Sequence, residues 1–175
     1  MKILVTGGVR SGKSRHAEEL VGDQPAVYVA PGPTTAEDTD PDWAARVAAH
    51  RSRRPASWQT LETRDLAGVI AAADRPVLVD CLGTWLTAVL DEAGAWDLAR
   101  EDLARLVDER LAGIAEAIAG CPHHLVVVTN EVGLGVVPEH RSGRVFRDLL
   151  GEVNQRFGAL SHEVHLVVAG RVLIL

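Results

Sequence analysis

Two short stretches of this 175-residue chain hold residue types and spacings suited to phosphate chemistry. The first is GGVRSGKS: Gly7, Gly8, Val9, Arg10, Ser11, Gly12, Lys13 and Ser14. It matches the phosphate-binding pattern G-x-x-x-x-G-K-[ST]. Glycines let backbone N–H groups curl around a phosphate, and the N-terminus of a following helix adds the positive end of its dipole. Lys13 supplies a point charge for the β- and γ-phosphates, and the Ser14 hydroxyl is a ligand for Mg²⁺. Such a loop needs a second carboxylate at the end of a neighbouring strand to hold the ion. Asp80 fits, closing the run PVLVD, and Glu131, just past LVVVT, is the competitor. The structural alternative for Asp80 is a helix N-cap, a role compatible with the first.

The second stretch is HRSRRP, from His50 to Pro55, with Arg46 one helical turn upstream. An arginine-rich helix end is ordinarily a solvated face that complements the helix dipole. In a chain that cradles a triphosphate, clustered guanidiniums also grip phosphate oxygens in pairs. They disfavour a protonated neighbour, so they favour a neutral His50. A neutral imidazole is a nucleophile, and one histidine among arginines is a device for attack on phosphorus. The other histidines, at 16, 123, 124, 162 and 165, read as exposed or packing residues; His140 lies near the NEVGLGVVPE loop.

These residues need a scaffold. Lys2–Thr6 reads as a buried strand running into the glycines, with a helix from Ser14 to Val21 behind them. Ala26–Ala30 is a second strand. A Pro/Asp/Thr-rich loop follows, and Asp42 is expected to cap a helix whose face carries Trp43, Val47 and Arg51 and which ends before Pro55. Pro76–Asp80 and Leu125–Thr129 are further strands, with helices over Leu98–Ile118 and about Glu139–Leu160. The run VHLVVAGRVLIL closes as one strand or a hairpin. Strands alternating with helices predict an α/β fold: a P-loop NTPase-like three-layer sandwich around a mostly parallel sheet, in a single domain over 1–175.

Composition narrows the class. A net charge of −6 disfavours a general nucleic-acid or anionic-membrane binder. Cys81 and Cys121 have no metal or disulfide spacing, which points to a reducing cytoplasm. No run is apolar enough for a membrane span, and MKILVTGG is too short for a signal peptide.

ILVTGGVRSGKSRHAE, AARVAAHRSRRP, W…TLE, VLVDCL…WL and VTNEVGLGVVPE…R…FRDLLGEVNQRFG occur in this order over nearly the whole chain. Together they resemble the bifunctional adenosylcobinamide kinase / adenosylcobinamide-phosphate guanylyltransferase family of cobalamin biosynthesis. The resemblance implies that ATP or GTP phosphorylates adenosylcobinamide. It further implies that GTP then guanylylates His50, and that the resulting cobinamide phosphate takes the GMP to give adenosylcobinamide-GDP. It places nucleotide contacts at Ala30, Pro31 and Gly32, at Arg51, Ser52, Arg53 and Arg54, and at Glu62 and Asp80, and it implies a homotrimer. Three positions depart from the family pattern. APGP replaces the usual Ala-Thr after the second strand, Ala88 replaces an asparagine, and GRVLIL lacks a terminal lysine. None touches Lys13, Ser14 or His50. The alternatives are a small-molecule kinase without guanylyl transfer, a GTP-binding module without turnover, and a nucleic-acid NTPase.

Overall fold

The computed structural model describes residues 1–175, which build one sheet of seven strands in the order β3-β2-β4-β5-β1-β6-β7. The elements, in chain order, are β1 (Lys2–Gly7), α1 (Lys13–Val21), β2 (Val27–Val29), α2 (Pro41–Arg53), β3 (Gln59–Leu61) and α3 (Leu66–Ala71). Then come β4 (Val77–Asp80), α4 (Leu82–Glu92), α5 (Arg100–Gly120), β5 (Leu125–Val128), α6 (Arg141–Leu160), β6 (Glu163–Val168) and β7 (Arg171–Ile174). Every neighbouring pair is parallel except β6 with β7, an antiparallel hairpin at one edge.

The central strands are almost uninterrupted Val, Ile and Leu because both of their faces are covered. Alternate residues serve opposite faces. Leu4, Val79 and Val127 join a cluster of 25 buried residues with helices α3 to α6. Ile3, Val5, Leu78, Val126 and Val128 join a second cluster of 11, which takes in Ala17 and Val21 of α1, Tyr28 and Trp58. Helices on both sides of a mostly parallel sheet give the three layers expected.

Three elements go beyond the sequence reading. Strand β3 is three residues at the polar edge, α3 is six residues, and α4 is buried nearly all round. A helix without a polar face gives no 3.6-residue stripe to read. The cap of α2 is corrected: Asp40 is the N-cap, its carboxylate accepting from the Asp42 amide at 2.9 Å. Pro41 follows at the first helical position, where its missing N–H costs nothing. Asp80 is no cap either. Cys81 occupies that position before α4, without a side-chain hydrogen bond, and the Asp80 carboxylate turns elsewhere. Both cysteines are free, and no helix is long and apolar enough to cross a membrane.

Candidate active site

Strand β1 lies between β5 and β6, and its C-terminal end delivers the glycine loop to the top of the sheet. The loop is tightly built. A Cβ on Gly7 would fall 2.4 Å from the Val167 carbonyl oxygen, so only glycine fits against β6. Gly12 has φ +100°, a left-handed geometry that favours glycine, and it caps α1. Its carbonyl accepts from the His16 amide at 3.0 Å, starting the helix directly behind the loop. Lys13 is 5 % exposed, and its Nζ donates to the Gly8 carbonyl at 3.3 Å, curled over the space a phosphate would fill. The Ser11 hydroxyl is buried without a protein partner, which suits a loop made to meet phosphate oxygens.

Beside the loop, at the C-terminal ends of β1, β2 and β4, lies a cavity of about 320 Å³. This is where open α/β sheets bind ligands. Of the residues singled out from the sequence, Val9, Lys13, Ser14, Ala30, Gly32, His50, Arg51, Arg54, Glu62 and Asp80 face this one space. Trp43, Val47 and Arg51 do so together, as their common helical face predicts. Gly7, Gly8, Arg10, Ser11 and Gly12 shape the loop without lining the cavity, and Pro31 is buried. Ser52 and Arg53 are turned aside. The Ser52 hydroxyl donates to the Ala49 carbonyl, and the Arg53 guanidinium holds the Glu18 carboxylate through two hydrogen bonds of 3.2 and 3.0 Å. Glu131 and His140 do not reach the cavity; Glu131 accepts from the Gly133 amide at 2.7 Å, and His140 is exposed at the start of α6.

His50 approaches Asp80, its Nδ1 lying 3.6 Å from Asp80 Oδ2. The imidazole pKa is held below its ordinary value, and burial is the main cause. Asp80 opposes this, Arg53 supports it, Glu18 opposes it, and Arg46 adds a smaller depression. The direction agrees with the neutral ring expected from the arginines, but desolvation does more than the guanidiniums. Two of the arginines are committed to other partners. Arg51 pairs with Glu62, and Arg54 lies over the Tyr28 ring, 3.4 Å from its centroid.

The sequence reading missed Tyr28, Thr84, Thr87, Asn130 and Phe146, all of which line the cavity. Tyr28 sits inside an ordinary strand run, where its hydroxyl is invisible as a site group. In the structure it donates to Asp80 Oδ2 at 3.1 Å, and burial followed by the Asp80 charge pushes its pKa well up. Thr84 and Thr87 belong to the unread helix α4. Asn130 did carry a signal: it immediately precedes Glu131 at the end of β5.

The chain is similar to known proteins over nearly its whole length. Residues 3–175 match the family described as cobinamide kinase / cobinamide phosphate guanyltransferase. A bifunctional adenosylcobalamin biosynthesis protein, CobU, of Salmonella typhimurium is 45 % identical over 97 % of both chains. The protein of that name from Escherichia coli is 42 % identical, again over 97 % of both. CobP of Pseudomonas aeruginosa, also called a bifunctional adenosylcobalamin biosynthesis protein, is 39 % identical over 97 % of this chain and 94 % of its own.

Proposed function

The chain belongs to the cobinamide kinase / cobinamide phosphate guanyltransferase family, and from that premise we propose how its residues divide two reactions. The enzyme is a transferase of cobalamin biosynthesis with both activities. It phosphorylates adenosylcobinamide with ATP or GTP and then transfers GMP from GTP to give adenosylcobinamide-GDP. The observation that carries the residue assignment is the single cavity faced by the phosphate loop, His50 and Asp80.

In the kinase step the loop amides and Lys13 hold the β- and γ-phosphates, and the hydroxyl of the substrate's aminopropanol arm attacks the γ-phosphorus. In the guanylyl step His50 attacks the α-phosphorus of GTP, and the cobinamide phosphate then displaces the imidazole. Burial keeps the ring neutral and ready for attack. Mg²⁺ fits the donors present: Ser14 and Asp80 offer hard oxygens to one space, and this ion takes few protein ligands beside phosphate and water. When bound it would neutralise developing phosphate charge. Arg51, Arg54 and Glu62 line the same cavity and, on this reading, meet the rest of the nucleotide. We propose a cytoplasmic homotrimer as the working form.

Intact mass after incubation with GTP and Mg²⁺ tests the reading. The expected product carries one acid-labile GMP, absent in His50→Ala. A wild-type chain that phosphorylates cobinamide but never gains GMP would leave a small-molecule kinase in which His50 is a bystander.

A further inference from the structure

The imidazole of His50 has two nitrogens, and one of them faces a carboxylate. Nδ1 lies 3.6 Å from Asp80 Oδ2. That same oxygen accepts the Tyr28 hydroxyl at 3.1 Å. Tyr28 is 2 % exposed, stacked on Trp58 with ring centroids 6.3 Å apart, and overlain by Arg54. The Asp80 side chain is itself only 8 % exposed. Turning the carboxylate away would strand a buried phenol without an acceptor, a costly exchange. The Asp80 oxygen facing His50 is thus fixed from behind.

Resting on the guanylyl-transfer reading above, we propose that Nε2 of His50 is the atom that bonds the α-phosphorus, that Asp80 holds Nδ1–H toward itself, and that Tyr28 is the positioning residue that fixes Asp80. A neutral imidazole has one donor and one acceptor nitrogen, and a carboxylate only accepts. The nitrogen facing Asp80 therefore carries the hydrogen, and the lone pair belongs to Nε2. The Nε2 lone pair forms the N–P bond while the P–O bond to pyrophosphate breaks, and that electron pair leaves on pyrophosphate. The ring keeps its Nδ1 hydrogen and gains a positive charge, which Asp80 Oδ2 faces, leaving Oδ1 for the Mg²⁺ assigned above. At 3.6 Å the contact is electrostatic rather than a hydrogen bond, and it strengthens as that charge builds. In the second half, a phosphate oxygen of the acceptor bonds the phosphorus and the N–P pair returns to Nε2. No proton changes place on the ring in either half.

The test uses the full chain labelled with ¹⁵N at histidine. Before loading, ring ¹⁵N shifts of His50 at neutral pH should report the Nδ1–H tautomer. After GTP and Mg²⁺, phosphorus should couple to Nε2. Phosphorus coupled to Nδ1, or a resting Nε2–H tautomer, overturns the proposal. A chain that gains no GMP by intact mass, or gains it elsewhere, overturns the guanylyl-transfer reading and this one with it. Tyr28→Phe keeps the ring stack and removes only the hydroxyl. It should lower kcat for GMP loading about tenfold, leave KM for GTP within about twofold, and mix the His50 tautomers, since one hydrogen bond to a charged group is at stake. Wild-type kcat together with a wild-type tautomer in Tyr28→Phe removes Tyr28 from the role.

Discussion

The phosphate loop and helix α2 face the same cavity but are held there by different physics. The loop is fixed by the core. It leaves a central strand, presses Gly7 against the Val167 carbonyl, and enters a helix that buries Lys13, Ala17 and Val21. Helix α2 has thirteen residues and buries none of them. Its ties are the Asp40 cap, the Trp43 indole N–H donating to the Pro33 carbonyl at 3.0 Å, the His50–Asp80 contact, and the Arg51–Glu62 and Arg53–Glu18 pairs. Exposed ion pairs contribute at most about 1 kcal/mol each and weaken with salt. The cradle is thus braced by buried groups, whereas the helix carrying His50 rests on surface contacts. That difference suits a chemistry in which a triphosphate stays put while different atoms come to it.

Removing the shared part should have the largest effect. Lys13→Ala should cut both kinase and guanylyl rates by about two orders of magnitude or more, because each reaction needs the same phosphate charge neutralised. Near-normal GMP loading in this variant would show that the GTP for that step sits elsewhere, and the two regions would not share a substrate.

His50→Ala should separate the regions. GMP loading and adenosylcobinamide-GDP formation should vanish, while phosphorylation of adenosylcobinamide persists at a reduced rate, followed by phosphate transfer from labelled nucleotide. Loss of both activities in a folded variant would place α2 inside the kinase site as well.

A smaller effect is expected on loosening α2 from a distance. Glu18→Gln removes the charge that holds Arg53. It should slow GMP loading about threefold, in line with a single surface pair. Amide exchange over 41–53 should speed up, while exchange in α1 beyond the mutated turn and the kinase rate should be nearly unchanged. Equal slowing of both activities would mean that the helix is not the looser partner.

The smallest concerns pH. The His50 pKa lies below its ordinary 6.5, and the nucleophile is the neutral form. As pH falls, loading should therefore persist past 6.5 and decline only on reaching the lower folded-state value. Arg46 contributes a minor depression, so Arg46→Ala should move this acid limb slightly upward. A downward move would mean that Arg46 acts on the site by some other route.

The same contrast explains what could be read from the sequence. Gly7–Ser14 was legible because each residue type there answers a backbone requirement: close approach at Gly7, positive φ at Gly12, a helix start at Lys13. The core strands were legible because burial on both faces demands unbroken apolar runs. His50 stood out by local charge alone, but the main cause of its lowered pKa did not. Burial dominates there, and burial is a property of the assembled site. Tyr28 shows the limit most clearly. It stands 52 positions from Asp80 in the chain, in a strand that reads as plain core, and only the pairing of β2 with β4 brings its hydroxyl to the carboxylate. Helix α4 was hidden for a related reason, since a segment buried on all sides has no polar face to mark its period.

The β6–β7 hairpin has a consequence in time. Val167 supports Gly7, and the Gly170 amide donates to the Ser11 carbonyl at 2.8 Å, so the first loop of the chain leans on its late residues. The glycine loop precedes in the chain the wall behind it, which is made only after the ribosome has passed Gly170. Until then β1 lacks one of its two neighbours, and Gly7 and Ser11 lack the partners that brace them. The loop therefore gains its full support only when the rest of the sheet, and with it His50, is already in the chain.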